Sequence, residues 1–292
     1  MRTFIAVPAP NEVQKAAVRA LEAQCNQADG TCLEIFLSNQ FNAHPEMDAF
    51  FFCEEDGALV GVLSLYADND KETEVTAVVR PDKRRQGVFS ALLARAVGAL
   101  APYGPETVTF KTDIHCQAGP AVAARWNPRE RSREFFMAAV PGKAAAPAGL
   151  EVGLAREEEL EALAAISREA FGEEPEEAAR YVRGTFEGAD QLLFTGRLSG
   201  VPVGSTSVDI AGKTAYIYGV CIAAAHRGQG LGKSLLRGVL AALPAVTDKQ
   251  PALSVEADNT AALGLYTGAG FSLVTEHRYY SAPFAAVRDS LG

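Results

Sequence analysis

The sequence predicts a mixed α/β protein made of two similar domains in tandem, and three observations carry that reading. First, the chain has 292 residues, 48% hydrophobic and 22% charged, so each half can bury its own core without a disulfide or metal staple. Second, residues 141–149 are framed by prolines, poor in bulky apolar side chains and close to the midpoint, which is the composition of a linker. Third, the same order of strand-like and helix-like segments runs on both sides of it. The expected division is a first domain at 1–140, a linker at 141–149 and a second domain at 150–292.

In the first half, runs rich in β-branched and aromatic residues predict strands at Ala49–Glu54, Leu59–Tyr66 and Glu74–Arg80. A basic turn, Lys83–Gly87, leads into a helix whose buried face is Leu92, Leu93, Ala96 and Leu100, and a strand follows at Thr107–Thr112. The second half opens with a helix over Glu157–Phe171, apolar at Leu160, Leu163, Ala164 and Phe171. Strands are expected at Gln191–Arg197, Val201–Ile210 and Thr214–Ala223, then a glycine-rich turn at Arg227–Gly232. Leu235, Leu236, Val239, Leu240 and Leu243 give the next helix, Lys233–Leu243, its apolar stripe. A strand (Ala252–Glu256), a helix (Thr260–Thr267) and a last strand (Phe271–Tyr280) complete the half.

Gly87 and Gly230 hold the same place in the two halves, at an offset of 143 residues. That is duplication of a whole domain, since solenoid repeats recur every ~20–50 residues. Consecutive strands ahead of the helix favour a mixed sheet over alternating βαβ units.

Several function classes drop out. A net charge of −9, with a basic excess in neither half, argues against nucleic-acid binding. The five cysteines (Cys25, Cys32, Cys53, Cys116, Cys221) form no CxxC pair and the four histidines are dispersed, so no metal is expected. The N-terminus has no long apolar run after its single arginine, so no signal peptide is expected. No apolar stretch approaches the ~18–20 residues that span a bilayer. A cytoplasmic protein without membrane association is the expectation.

The chemistry concentrates in Arg227-Gly228-Gln229-Gly230-Leu231-Gly232-Lys233-Ser234, which lies between a strand and a helix. Alternate glycines leave backbone N–H groups bare at a helix N-terminus, where the dipole favours an anion such as phosphate. A P-loop would need glycine at 227, and a dinucleotide-binding fingerprint would need glycine at 233, where Arg227 and Lys233 stand. A second motif follows: Asn259, Ala262, Leu265, Tyr266, Gly270 and Phe271 fit N-x-x-A-x-x-L-Y-x-x-x-G-F.

The two motifs in this order resemble the GNAT acetyltransferase superfamily, whose first motif is R/Q-x-x-G-x-G/A. The run Val255-Glu256-Ala257-Asp258-Asn259 is similar to the mycothiol synthase branch, and His277-Arg278-Tyr279-Tyr280 to the end of ribosomal-protein or peptide N-terminal acetyltransferases. The resemblance implies two tandem domains, each a mixed, mostly antiparallel sheet flanked by helices. It implies acetyl-CoA as donor and no metal. The strand ending at Val220, Cys221 and Ile222 would part from its neighbour and pair with the pantetheine arm. Arg227, Gly228, Gln229, Gly230, Leu231 and Gly232, with Lys233 and Ser234 of the following helix, would hold the pyrophosphate.

An amine would then attack the thioester directly, with a backbone N–H near Ile222 stabilising the oxyanion. Tyr266 would contact the cofactor and act as general acid, and Asn259 would fix the strand–helix corner and touch the cofactor. Glu256 is the candidate general base, on the same strand face as Ser254. Cys221 lacks a paired histidine, so a covalent acetyl-cysteine is not expected.

The first half departs from both motifs. Aligned on Gly87, it has Arg85 for Gly228 and Phe89 for Gly232, and the second motif is missing. The first domain therefore reads as a fold kept without the chemistry. The acceptor is expected to be a small-molecule amine or a peptide N-terminus, on a monomer or homodimer. Acidic clusters at Glu157–Glu161 and Glu173–Glu177 are expected to favour a cationic acceptor. The alternative function is a non-catalytic acyl-CoA-binding or sensor protein.

Overall fold

The computed structural model describes residues 1–139 and 149–291. Of the expected linker only Gly149 is among them; 141–148 lie outside the described residues. Contacts divide the chain into two compact units, Met1–Glu134 with Thr275–Gly292, and Phe135–Val274.

The N-terminal unit begins with β1 (Arg2–Val7) and α1 (Glu12–Asp29). Asn11 and Gln14 form a capping box of two 2.9 Å bonds, and Gly30 closes α1 in the left-handed region. The strands β2 (Phe50–Glu55), β3 (Ala58–Tyr66) and β4 (Glu72–Val79) follow, then α2 (Val88–Leu100) and β5 (Thr107–Asp113). A short helix, α3 (Ala118–Ala123), leads into the long strand β6 (Arg129–Ala139). β1 to β4 pair antiparallel in sequence order, and β4 pairs parallel with β5. Phe50, Phe51, Phe52, Leu63, Leu92 and Leu93 are fully buried in the core that α1 and α2 close.

The C-terminal unit contains β7 (Glu151–Leu154), α4 (Leu160–Phe171), α5 (Pro175–Glu187), β8 (Gln191–Leu198), β9 (Val201–Asp209) and β10 (Thr214–Ile222). It continues with α6 (Leu231–Ala242), β11 (Gln250–Glu256) and α7 (Thr260–Ala269). The last elements of the chain are β12 (Phe271–Pro283) and α8 (Phe284–Asp289). β7 to β10 pair antiparallel, and β10 pairs parallel with β11. Leu235, Leu236 and Val239 of α6 are buried on one sheet face, while Leu163 of α4 and Val182 of α5 pack with Leu193 and Cys221 on the other. Each unit is thus a mixed, mostly antiparallel sheet between helices, as expected.

The units depart from the expected division at two strands. The first half of β12, Phe271–Val274, belongs to the C-terminal unit, and its second half pairs antiparallel with β5 from His277↔Asp113 to Pro283↔Thr107. Conversely, Phe135–Ala139 of β6 belongs to the C-terminal unit, beside β11. These strands have 11 and 13 residues, about twice the usual length, which lets each supply one half to each unit.

Candidate active site

The site is built where two parallel strands part. The β10–β11 ladder holds Thr214↔Gln250, Ala215↔Pro251 and Tyr216↔Ala252 and ends there, while β10 stays paired with β9 as far as Ile222↔Gly204. Ile217–Ile222 therefore present a backbone edge to a gap. Ala223 N–H donates to Val203 O at 2.9 Å on the β9 side, so strand alternation aims the Ile222 N–H the other way, into the gap. The β9–β10 register shifts between Tyr218 and Cys221, with Gly219 at φ 62°. A Cβ there would stand 2.5 Å from the Tyr181 hydroxyl, so the bulge needs glycine.

Of the expected Val220, Cys221 and Ile222, it is the backbone that borders the gap. The Cys221 side chain is buried, 3.3 Å from Ser205 Oγ, and burial pushes its thiol up, which is the setting of an inert cysteine.

Beyond Ile222 the chain makes one 3-10 turn and then the glycine turn. Gly228 and Gly230 take φ of 74° and 77°, so Arg227, Gly228, Gln229 and Gly230 are exposed as one arc ahead of α6. Arg227 Nε donates to Ile222 O at 2.8 Å, and Gln229 Nε2 to Ala225 O at 3.3 Å, which stiffens the arc. Gly230 gives α6 no side-chain cap, so the N–H groups of its first turn, from Leu231 and Gly232 to Lys233, lack that partner. Ser234 N–H is already engaged by Gly230 O at 3.2 Å. A Cβ on Gly232 would make only ordinary contact with Leu265, at 3.5 Å, so packing alone does not demand glycine. The Lys233 ammonium lies beside Gly268 at the C-terminal end of α7, where Arg237 Nη2 also donates to Gly268 O at 3.2 Å. Both cations complement that helix end.

At the far side of the gap, Asn259 caps α7 by accepting from Ala262 N–H at 3.0 Å, and its own N–H donates to Glu256 O at 3.0 Å. Asn259 thus ties the end of β11 to the start of α7. Tyr266 is half-buried, its ring edge-on to Phe271 with centroids 6.1 Å apart. Burial, with Tyr216 adding to it, raises the Tyr266 hydroxyl above the ordinary phenol value, so it keeps its proton at neutral pH. Glu256 is exposed at the end of β11.

The structure adds a polar wall that sequence reasoning missed. Tyr181 and Ser207 hydroxyls lie 3.1 Å apart, Tyr218 donates to Gln191, and Gln191 Nε2 donates to Asp209 Oδ2 at 2.9 Å. The Tyr216 and Tyr218 rings stack at 6.4 Å, and burial pushes the Tyr218 hydroxyl up to about 12. The available signal was the alternation of tyrosines at 216 and 218 just before the glycine turn. By contrast, part of the acidic clusters is spent on structure: Glu159 takes two bonds from Arg197, at 2.6 and 2.8 Å, and Glu173 accepts from Ser167 at 2.9 Å.

The N-terminal unit repeats the frame without the same contents. β4 and β5 part after Val75↔Phe110, but the β3–β4 register runs unbroken from Tyr66↔Glu74 to Gly61↔Val79. Arg84 Nε donates to Val79 O at 3.0 Å, as Arg227 does to Ile222, yet its guanidinium is clamped by two 2.7 Å bonds to Asp29. Lys83 pairs with Glu55 at 3.1 Å, and Phe89 packs against the core. Where the second motif would stand, Trp126 stacks on Phe110 at 5.0 Å and donates to Ser290 Oγ at 2.7 Å.

The profile of the acetyltransferase (GNAT) family matches residues 15–118 and 160–271. The chain belongs to the GNAT acetyltransferase family. It is an acetyl-CoA-dependent N-acetyltransferase with two family domains in tandem. The chain is 30% identical to the mycothiol acetyltransferase of Kineococcus radiotolerans, over 96% of this chain and 97% of that one. It is 28% identical to that of Catenulispora acidiphila, over 90% and 93%.

Among solved structures, a GCN5-related N-acetyltransferase from Sphaerobacter thermophilus has a TM-score of 0.71 at 20% identity, covering 96% of both chains. A tandem GNAT protein from the clavulanic acid biosynthesis pathway has 0.69 at 20% identity, covering 97% of this chain and 99% of that one. At these identities the structures show the fold alone. Among the described residues, no group of three or more His, Cys, Asp or Glu is placed to hold a metal ion. No described helix is long and apolar enough to cross a membrane.

Proposed function

We propose that the C-terminal unit carries the acetyl transfer and that the acceptor is the amine of a small molecule. The observation behind this is that one gap gathers three things: a free strand edge at Ile217–Ile222, an uncapped helix start behind a glycine turn, and a desolvated phenol at Tyr266. Acetyl-CoA supplies an acetyl thioester, and these residues suit its parts. The strand edge offers peptide-like pairing to a pantetheine arm, and Arg227 with the first N–H groups of α6 offers a cradle for a pyrophosphate.

Each residue then has a task. The Ile222 N–H donates toward the gap, where negative charge develops during acyl transfer. Tyr266 holds a proton at its hydroxyl for the departing sulfur. Glu256, exposed at the end of β11, is the candidate to take the proton of the incoming amine. The Tyr181, Tyr216 and Tyr218 wall, neutral and hydroxyl-bearing, suits a polar, uncharged acceptor body. The mycothiol acetyltransferase relatives, matched along nearly their whole length, favour a small molecule over a peptide N-terminus.

Calorimetry with acetyl-CoA tests the first part. One site per chain, lost in Gly232→Phe, is the expected result; two sites would return the chemistry to both units, and no binding would remove the proposal. An acceptor screen read by release of free CoA thiol tests the second. Turnover on peptides alone would overturn the small-molecule reading.

A further inference from the structure

The bulge in β10 decides where the Ile222 N–H points. Tyr218 pairs with Ser207 and Cys221 with Ser205, so three steps along β10 match two along β9 and one residue is extra. Orientation alternates along a strand, so one extra residue reverses the side-chain face and the N–H direction of every residue beyond it. Tyr218 and Cys221 accordingly share a face. The Tyr218 ring meets that of Tyr181 on α5 edge-on at 6.2 Å, and Cys221 packs with Leu163 and Val182. In an unbroken ladder Ile222 would take the orientation that Ala223 now has, and its N–H would bond to β9 instead of facing the gap.

Two side chains hold the bulge, one from each face of the sheet. Thr206, fully buried and on the same face as Val208, donates from Oγ1 to Tyr218 O at 2.9 Å. From the α4–α5 face the Tyr181 hydroxyl stands against Gly219. A Cβ on Gly219 would lie 2.5 Å from the hydroxyl oxygen but 3.5 Å from the ring carbon Cζ, so the oxygen alone takes the place of a side chain.

That oxygen is fixed in turn by Ser207 Oγ at 3.1 Å, and Ser207 is the β9 partner of Tyr218. The hydroxyl is therefore wedged between β9 and the left-handed Gly219, at the point where the ladder gains its residue. Close-packed interiors pass a displacement on to their neighbours, so this contact bears on the strand that follows.

We propose that Tyr181 is a positioning residue for acetyl transfer: its hydroxyl, braced by Ser207, holds the β10 bulge and so aims the Ile222 N–H at the thioester carbonyl. This rests on the reading that the C-terminal unit carries the reaction. Tyr181 acts through the strand, and the proton for the departing sulfur stays with Tyr266.

The test is infrared difference spectroscopy of acetyl-CoA, isotopically labelled at the thioester carbonyl and bound to the intact chain without an acceptor. In the wild type the carbonyl band should lie at lower wavenumber than in free acetyl-CoA, because a donated hydrogen bond weakens that bond. Tyr181→Phe should return the band most of the way to its free position. Its acetyl-CoA affinity should stay within about threefold by calorimetry, since contacts to the rest of the cofactor remain. Ser207→Ala should move the band in the same direction by less. A shifted band that does not move in Tyr181→Phe would overturn this role and leave the C-terminal assignment standing. No shift in the wild type, or no binding, would overturn both.

The wedge is also tested without a ligand. Gly219→Ala places a methyl against the hydroxyl, and adding Tyr181→Phe removes that clash. The double variant should melt at a higher temperature than Gly219→Ala, whereas Tyr181→Phe alone should melt no higher than the wild type. A double variant less stable than Gly219→Ala would overturn the proposal. The infrared comparison decides the matter if Gly219→Ala does not fold.

Discussion

Arg84 and Arg227 make the same bond to the last carbonyl of the strand before their turns, at 3.0 and 2.8 Å. What surrounds them differs. Arg84 is held by Asp29, and a positive-φ Arg85 and a core-packed Phe89 stand where the other turn has Gly228 and Gly232. Arg227 is exposed on an arc of glycines before an uncapped helix. The backbone bond is thus common to both units, whereas Gly228 and Gly232 belong to the C-terminal turn. The strands teach the same lesson: both parallel ladders part, but only β10 is bulged, at Gly219.

The largest effect should come from separating the units. A fragment of residues 150–292 lacks the Phe135–Ala139 strand of its own sheet, and one of residues 1–149 lacks His277–Pro283. Neither should show a cooperative thermal transition, measured by calorimetry, whereas the intact chain should. A fragment that melts sharply would break the picture of traded strands.

Next comes a buried ion pair specific to the C-terminal unit. Arg197 and Glu159 are 3% and 6% exposed, and Arg197→Met, which strands the carboxylate, should cost about 3–5 kcal/mol in denaturant unfolding. Burial alone would raise the Glu159 carboxyl, but hydrogen bonds from Arg197 and the Arg156 N–H outweigh it and hold the group below the usual range. Its stabilisation is therefore present above the unfolded value of about 4.3 and is lost as pH falls through the folded value. Glu22 in the N-terminal unit runs the other way. There burial outweighs Arg19, the carboxyl is raised, and its contribution declines as pH rises from the unfolded value through the folded one. Melting temperature against pH for Glu159→Gln and Glu22→Gln should show acid limbs changed in opposite senses.

Tyr266→Phe should lower kcat about 100-fold or more while leaving acetyl-CoA affinity within about twofold. Because burial raises this phenol, the wild-type rate should not decline on its account until pH exceeds the ordinary phenol value of about 10. A smaller loss on mutation would move the proton donor to solvent.

The mildest pair sharpens the comparison of the turns. Gly232→Phe should weaken acetyl-CoA binding by at least about tenfold, and Phe89→Gly should add no second site in calorimetry, since Asp29 still holds Arg84. A gained site would show that Phe89 alone silences the N-terminal turn.

Much of this was legible in the sequence for definite reasons. The apolar spacing of Leu235, Leu236, Val239 and Leu240 and the paired motifs around Gly230 and Tyr266 are local patterns, and α6 and α7 fall where those patterns put them. Other elements were not visible. In α1 only Val18, Leu21, Glu22 and Cys25 are buried, too sparse a stripe to stand out, and its evidence lies in the Asn11–Gln14 capping box. The role of Asp209 and Gln191 in holding Tyr218 depends on contacts between β8, β9 and β10, which spacing along the chain does not report.

The family, the glycine turn and the asparagine–tyrosine pair could be read from residue order because each is written within a short stretch, and the duplication because the same order of elements returns at an offset of 143 residues. That β6 and β12 each divide between the two units, and that Arg84 is spent on Asp29 while Arg227 is exposed, emerges in the folded chain alone. The fold also decided that the Cys221 thiol is buried, and that Glu159 serves Arg197 before any acceptor. The physical reason is common to all of these. A strand's partner and a charge's counter-ion lie far along the chain and near in space, and folding chooses among several local possibilities by burial and hydrogen-bond satisfaction.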